Sequence, residues 1–211
     1  MAFDVSDNNG TIDWEAARAA GHDVVFIKLS EGATFTDPFG EANWYGAGRA
    51  GFRRAPYHFH RAGKGCDAQA NHFLAILHEL GGLEDTDLPP VLDFEDRDGI
   101  ARIGSDVAVT EACGILELMR TGRKRSPMIY IDRDLANPET TPTVHRFGVY
   151  HLWLACYAVQ IELPSAWSDW AWWQYSETGT VPGVGSGTVD LDRFRFDADQ
   201  LEEWVKGTIL V

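Results

Sequence analysis

Short runs rich in apolar and β-branched residues alternate with amphipathic stretches along most of the chain. Read in order, the runs Ala2–Ser6, Val24–Ser30, Arg53–His60, Pro90–Glu95 and Met128–Asp132 predict five strands. Between them, helical periodicity covers Asp13–Ala20, Phe39–Ala50, Asp67–Leu80 and Asp106–Arg120, several of these segments ending at glycine. The fourth strand is the most apolar and is expected to be central. After Asp132 the rhythm changes. Leu135–Tyr150 holds two prolines and reads as irregular, and three strand candidates follow with little room for helices between them: Leu152–Tyr157, Ala171–Tyr175 and Val189–Phe194. A helix over Asp197–Val205 closes the pattern.

Five βα units and three bare strands make eight. That predicts an α/β fold, a single irregular TIM-like (β/α) barrel whose helical coat is incomplete in the C-terminal third. An open doubly wound sheet is the alternative. It calls for crossover helices in the last third and a glycine-rich turn after the first strand, and the sequence offers neither. No internal repeat or linker divides the chain, so residues 1–211 are expected to form one domain.

Polar residues gather at the predicted strand ends: Asp4, Lys28 with Glu31, Tyr57 with His58 and His60, Asp93 with Glu95, Tyr130 with Asp132, and then Tyr157, Gln174, Asp190 and Asp192. In a barrel these ends share one rim, where active sites are built. The sharpest signal is Val91-Leu92-Asp93-Phe94-Glu95. Side chains alternate along a strand, so Asp93 and Glu95 share a face with Cα atoms about 6.6 Å apart, while Leu92 and Phe94 face the helices. Two carboxylates crowded beside apolar residues repel, which raises a pKa and leaves a proton to donate to a glycosidic oxygen. The plainer alternative is that both pair with Arg97 or Arg102.

Composition narrows the field. The net charge is −14, from 18 basic and 32 acidic residues, and the one basic run, Arg123-Lys124-Arg125, reads as a solvated turn. A nucleic-acid partner is therefore not expected, nor is steering toward anionic surfaces. No apolar stretch reaches the ~20 residues of a membrane span, so membrane insertion is not expected. Residues Met1–Gly10 show no signal-peptide pattern. The three cysteines have no metal-binding or redox spacing, and Cys113 and Cys156 read as small buried hydrophobes. His58-x-His60 could hold a divalent metal, although hydrogen-bonded rim histidines are commoner. Lys28 beside Glu31 could form a Schiff base, with a structural ion pair as the simpler reading. Six of the eight tryptophans lie at or beyond Trp153. They suit either a sugar-stacking groove, with Tyr57 and Trp153 as the favoured pair, or the shielding of bare strands.

At this point the chain resembles the glycoside hydrolase family 25 muramidases, which include many bacteriophage endolysins. Asp4-Val5-Ser6 with Asn9-Gly10 and Ile12-Asp13-Trp14 is similar to the family's opening signature. Ile27-Lys28 with Glu31-Gly32 and Tyr57-His58-Phe59 resemble its second and third strands, and Leu92-Asp93-Phe94-Glu95 its D-x-E strand. Leu152-Trp153 with Ala155 and Tyr157, Trp173-Gln174-Tyr175-Ser176, and Val189-Asp190-Leu191-Asp192 resemble the L-W-x-A-x-Y, W-Q-Y and D-x-N elements.

The resemblance implies hydrolysis of the β-1,4 bond between N-acetylmuramic acid and N-acetylglucosamine in bacterial peptidoglycan. Glu95 would be the general acid and Asp93, Asp4 and Asp190 the carboxylates around it. Lys28, Glu31, Tyr57, Tyr130, Trp153, Tyr157 and Gln174 are expected to bind substrate, with no metal or cofactor. A substrate-assisted route is expected, with Asp93 holding the acetamide N–H and Tyr130 its carbonyl. Asp192 stands where the family often has Asn, adding negative charge and an expected upward shift of the pH optimum. The segment Asp96–Ser126 carries no family signature. Two other readings stay open: a wall-glycan-binding barrel without turnover, and a hydrolase of a related N-acetylglucosamine polymer. Against the latter, Leu88-Pro89-Pro90 occupies the upstream positions of the longer acidic run that chitinases carry. A monomer is expected, acting on the cell wall. It would be either a phage lysin released from the host cytoplasm or a domain of a longer secreted protein with its own wall-binding part.

Overall fold

The computed structural model describes residues 1–123, 125–185 and 188–208. Nine strands run β1 (Ala2–Val5), β2 (Val24–Glu31), β3 (Phe35–Thr36), β4 (Arg53–Phe59), β5 (Val91–Asp93), β6 (Met128–Asp132), β7 (His151–Ala155), β8 (Trp172–Gly179) and β9 (Val189–Phe194). Eight of them close a barrel. β1 pairs with both β2 and β9, and the order continues through β8, β7, β6, β5 and β4 back to β2. The two-residue β3, absent from the sequence reading, only folds back on the end of β2.

Helices α1 (Trp14–Ala19), α2 (Gly40–Arg49), α3 (Cys66–Glu79), α4 (Arg97–Ile103) and α5 (Ser105–Arg123) coat the first five barrel strands. Among the described residues, only loops and a short 3₁₀ turn link β6, β7 and β8. The coat is thus incomplete where the sequence lost its helical rhythm. Helix α4 was not foreseen. It starts where the Asp96 side chain accepts from the Gly99 N–H, and Gly104 at φ 90° separates it from α5. Helix α6 (Ala198–Gly207) opens on a capping box of Asp197 and Gln200.

The period-2 alternation divides the core in two. Phe3, Val25, Ile27, Leu29, Leu92, Phe94, Leu152 and Leu154 face outward under the helices. Ala2, Val24, Phe26, Ala55, Val91, Met128, Trp153 and Trp172 face inward, and Leu201 and Val205 of α6 stop the bottom of the barrel. The apolar plug fills the lower barrel and leaves its upper mouth polar.

One strand runs against the grain. β9 is antiparallel to both neighbours, with Asp4 opposite Asp190 and Ala2 opposite Asp192. Asp190 therefore reaches the upper rim near the start of its strand, not the end. Asp192, expected at the rim, lies a layer deeper in the interior and is buried.

The basic run also needs correction. Lys124 lies outside the described residues, and Arg125 is not solvated but only 5% exposed. Its guanidinium donates to the Glu84 carbonyl at 3.0 Å and, at 3.4 Å, to Val205 O and Thr208 Oγ1, tying α6 to the loop before β5.

Candidate active site

Inward-facing side chains of the upper layer enclose a cavity of about 290 Å³ lined by Asp4, Lys28, Tyr57, Asp93, Glu95, Tyr130, Trp153, Gln174 and Asp190. Strands β1, β2, β4, β5, β6, β7, β8 and β9 each contribute, Glu95 standing just beyond β5. The four acids singled out from the sequence thus meet in one place. Lys28 is the only cation among the described lining residues.

Among the described residues no arginine or lysine is within ion-pair distance of Asp93 or Glu95. Arg97 pairs with Asp132 and Asp134 at 2.8 and 2.7 Å, and Arg102 donates to the Ala62 carbonyl. Burial, with Asp132 and Asp190 nearby, raises the Glu95 carboxyl above the usual range. Asp93 is pushed well up by burial and by Glu95, and its Oδ1 is buried without a hydrogen-bond partner. Burial and the facing Asp190 likewise lift Asp4. So many buried carboxyls with one cation cannot all ionise together, and the cluster holds protons where lone carboxyls would have lost them.

Gln174 organises the rim opposite Glu95. Its Oε1 accepts from the Tyr130 and Tyr157 hydroxyls at 2.9 and 2.7 Å, which fixes the amide orientation. Its Nε2 then donates to Asp4 Oδ2 at 2.8 Å and Asp190 Oδ2 at 3.4 Å. Two expected site residues stand outside the lining. Tyr157 acts through Gln174. Glu31 is held between Lys28 Nζ and Arg61 at 2.8 and 2.6 Å, and although burial opposes it, those hydrogen bonds keep its carboxyl below the ordinary range. The Lys28 ammonium is paired with Glu31 and lies 5.1 Å from the Phe59 ring centre, the structural ion pair of the simpler reading.

The metal and cysteine alternatives fare worse. His58 binds Ser30 Oγ at 2.8 Å, and its pKa falls to about 3 through burial. His60 is buried against the Phe94 ring. Both belong to the layer between barrel and helices. Among the described residues no group of three or more His, Cys, Asp or Glu is arranged to hold a metal ion. Burial raises the thiols of Cys66 and Cys113, the opposite of nucleophile activation. Of the late tryptophans only Trp153 lines the cavity. Trp167 and Trp173 pack outside the barrel and Trp172 within its plug.

The sequence reading missed Ser6, Asn8, Asn9, Phe59, Thr188 and Val189 in the lining. Ser6 and Asn9 had a signal, following directly on Asp4, and they form a capping box in which Asn9 Oδ1 accepts from the Ser6 N–H. Asp37 steadies that loop by accepting from the Asp7 N–H at 2.9 Å. Thr188 and Val189 arrive only because β9 is reversed, which no local pattern announces.

The sequence profile of "Glycosyl hydrolases family 25" matches residues 3–184. The chain belongs to glycosyl hydrolase family 25. Among the relatives of this family 25 enzyme, "Lysozyme M1" of Streptomyces globisporus is 32% identical over 209 residues, 95% of this chain and 69% of its own. The "N,O-diacetylmuramidase" of Arthroderma benhamiae is 29% identical, covering 98% of this chain and 87% of its own. The solved bacterial lysozyme of Streptomyces coelicolor superposes with a TM-score of 0.88 at 29% identity, over 98% of this chain and 97% of that one. The irregular barrel is thus the family 25 barrel, and the chain is a glycoside hydrolase.

Proposed function

We propose that the enzyme is a muramidase that cleaves the β-1,4 bond between N-acetylmuramic acid and N-acetylglucosamine of bacterial peptidoglycan, with Glu95 as its general acid. One observation carries the assignment of Glu95: it lines the acidic cavity with a raised carboxyl and no ion-pair partner. A carboxylic acid that keeps its proton toward neutrality can protonate the leaving oxygen. The relatives named lysozyme and N,O-diacetylmuramidase support the substrate. The concentration of four acids argues against a mere glycan-binding barrel, since sugar binding alone has no use for buried, mutually repelling carboxyls.

For the displacement at C1, a substrate-assisted route is the better supported. The orphaned Asp93 Oδ1 offers an acceptor for the acetamide N–H, which would position the acetamide oxygen to attack C1 as the bond to the leaving oxygen breaks and Glu95 protonates that oxygen. Water, giving its proton to the Glu95 carboxylate, would then open the oxazoline at C1 and release the product. The Tyr130 hydroxyl already donates to Gln174, so contact with the acetamide carbonyl would require that hydrogen to turn away from Oε1. Asp4 and Asp190, joined through Gln174, would support the developing positive charge. The profile match ends at residue 184, yet β9 completes the barrel, which favours residues 1–211 acting as one catalytic domain. Closure leaves little free strand edge, in keeping with a monomer. The charge of −14 favours a separate wall-binding part in a longer parent protein, because the enzyme itself would be repelled by an anionic wall.

Digestion of purified wall, with identification of the new reducing-end sugar, tests this reading. Muramic acid at that end is expected, and glucosamine would refute it. The route has its own check, since a substrate-assisted displacement retains the anomeric configuration. NMR of the first-formed product should show the β anomer, and the α anomer would overturn the route while leaving the activity standing. Gln174→Leu is expected to lower kcat by roughly tenfold to a hundredfold, since Asp4 and Asp190 lose their shared donor. A rise in KM alone, with kcat unchanged, would show that Gln174 only binds sugar.

A further inference from the structure

Beneath the acidic cavity a polar contact crosses the apolar plug. Trp153 lines the cavity with its ring, stacked at 3.8 Å on Phe26 and edge-on to Tyr130 at 4.7 Å. Phe26, on which it stacks, offers its indole N–H no acceptor. The N–H donates instead to Asp192 Oδ1 at 2.7 Å, from β7 to β9 across the barrel interior. Asp192 is 2% exposed, and its other oxygen, Oδ2, has no partner. Placing a carboxyl in such a layer is costly unless it performs a task.

Resting on the muramidase reading above, we propose that Asp192 is a positioning residue for the reaction, holding the Trp153 indole in the orientation that forms the flat floor of the sugar pocket. The ring has apolar packing on its face and edge but nothing else to set its rotation about the Cβ–Cγ bond. One short hydrogen bond from the opposite wall fixes that angle. Burial and Asp4 push the Asp192 carboxyl well up, so the group favours its neutral acid, and an amide of the same shape is a close substitute. The negative charge that the sequence comparison attached to Asp192 is correspondingly muted.

The experiment compares Asp192→Asn with Asp192→Leu and Asp192→Val, each in wild-type and Trp153→Phe backgrounds. Steady-state kinetics on solubilised glycan strands and thermal melting are measured for all of them. Asp192→Asn keeps an acceptor and should retain at least a third of the wild-type kcat/KM. The apolar variants should raise KM by roughly tenfold, the worth of one buried hydrogen bond, at a smaller cost in kcat. In the Trp153→Phe background that penalty should vanish, because the residue through which Asp192 acts is gone. Apolar variants as active as Asp192→Asn, or penalties that simply add, would overturn the proposal. So would failure of both apolar variants to fold, which would confine Asp192 to barrel stability. The Trp153 indole N–H resonance, assigned by its loss in Trp153→Phe, gives a readout without turnover. It should move strongly in the apolar variants and little in Asp192→Asn, and an unmoved resonance would also overturn the proposal. An inactive wild type would sink the muramidase reading, while this resonance would still decide the pairing.

Discussion

Glu95→Gln should abolish release of reducing ends from purified wall, with kcat falling by about 10³-fold, within the usual worth of a general acid. The amide keeps the shape of the side chain and removes only the transferable proton. Binding of the glycan should survive, so KM is expected to change little. The pH profile carries the same assignment. Burial, Asp132 and Asp190 raise the Glu95 carboxyl, so the protonated form persists to higher pH than for a free glutamate. Activity should therefore fall as pH rises through that pKa, and the basic limb should disappear in whatever residual activity the variant retains. The stability contribution of this carboxyl should fall with rising pH as well. A carboxyl whose folded pKa is raised stabilises the fold fully only below its unfolded pKa, and that contribution is lost as pH rises through the folded value. Near neutrality the glutamine variant should therefore melt no lower than wild type, and slightly higher if repulsion dominates. A variant that releases reducing ends at the wild-type rate would remove Glu95 from its role.

Much of this site is legible before any coordinates because it obeys period 2. Asp93 and Glu95 share a face for the same reason that Leu92 and Phe94 meet the helices, and Asp4 and Lys28 follow the same rule on their own strands. The eight barrel strands and the thinning of the coat beyond Asp132 also follow from local pattern. What stayed hidden depends on direction and partner, which local pattern does not encode. Nothing in Val189–Phe194 says that the strand runs backward. Hence the sequence put Asp192 on the rim and carried no sign that Thr188 and Val189 would line the cavity. The late tryptophans left two readings open for a related reason, since an aromatic residue on a bare strand looks alike whether it faces a groove, the plug or the outer layer; Trp153 lines the cavity while Trp167, Trp172 and Trp173 are core. Arg125 looked solvated because its neighbours are charged, while its acceptors lie about 40 and 80 residues away.

The largest stability loss should come from a contact that no local pattern along the chain announces. Arg54 on β4 is 5% exposed, and its Nε and Nη2 meet both oxygens of Asp87 at 2.8 and 2.7 Å. The guanidinium also sits 4.1 Å from the Trp44 ring centre, and Asp87 Oδ2 accepts from the Glu84 N–H. Asp87 is 1% exposed, so removing Arg54 leaves a buried carboxylate without its bidentate ion-pair partner. Arg54→Met should therefore cost about 3–5 kcal/mol, a fall of roughly 10 °C in Tm for a chain of this size. Asp87→Asn should cost less, since an amide can still accept from the guanidinium. The double variant Arg54→Met/Asp87→Leu should regain much of the difference, because replacing both partners removes the buried charge along with its pair. Equal melting temperatures for the single and double variants would show that Arg54 stabilises β4 through Trp44 packing rather than through Asp87. The pair lies at the opposite end of β4 from Tyr57, so the surviving folded fraction of each variant should retain the wild-type KM. That separates a foundation of the barrel from the acidic mouth it supports.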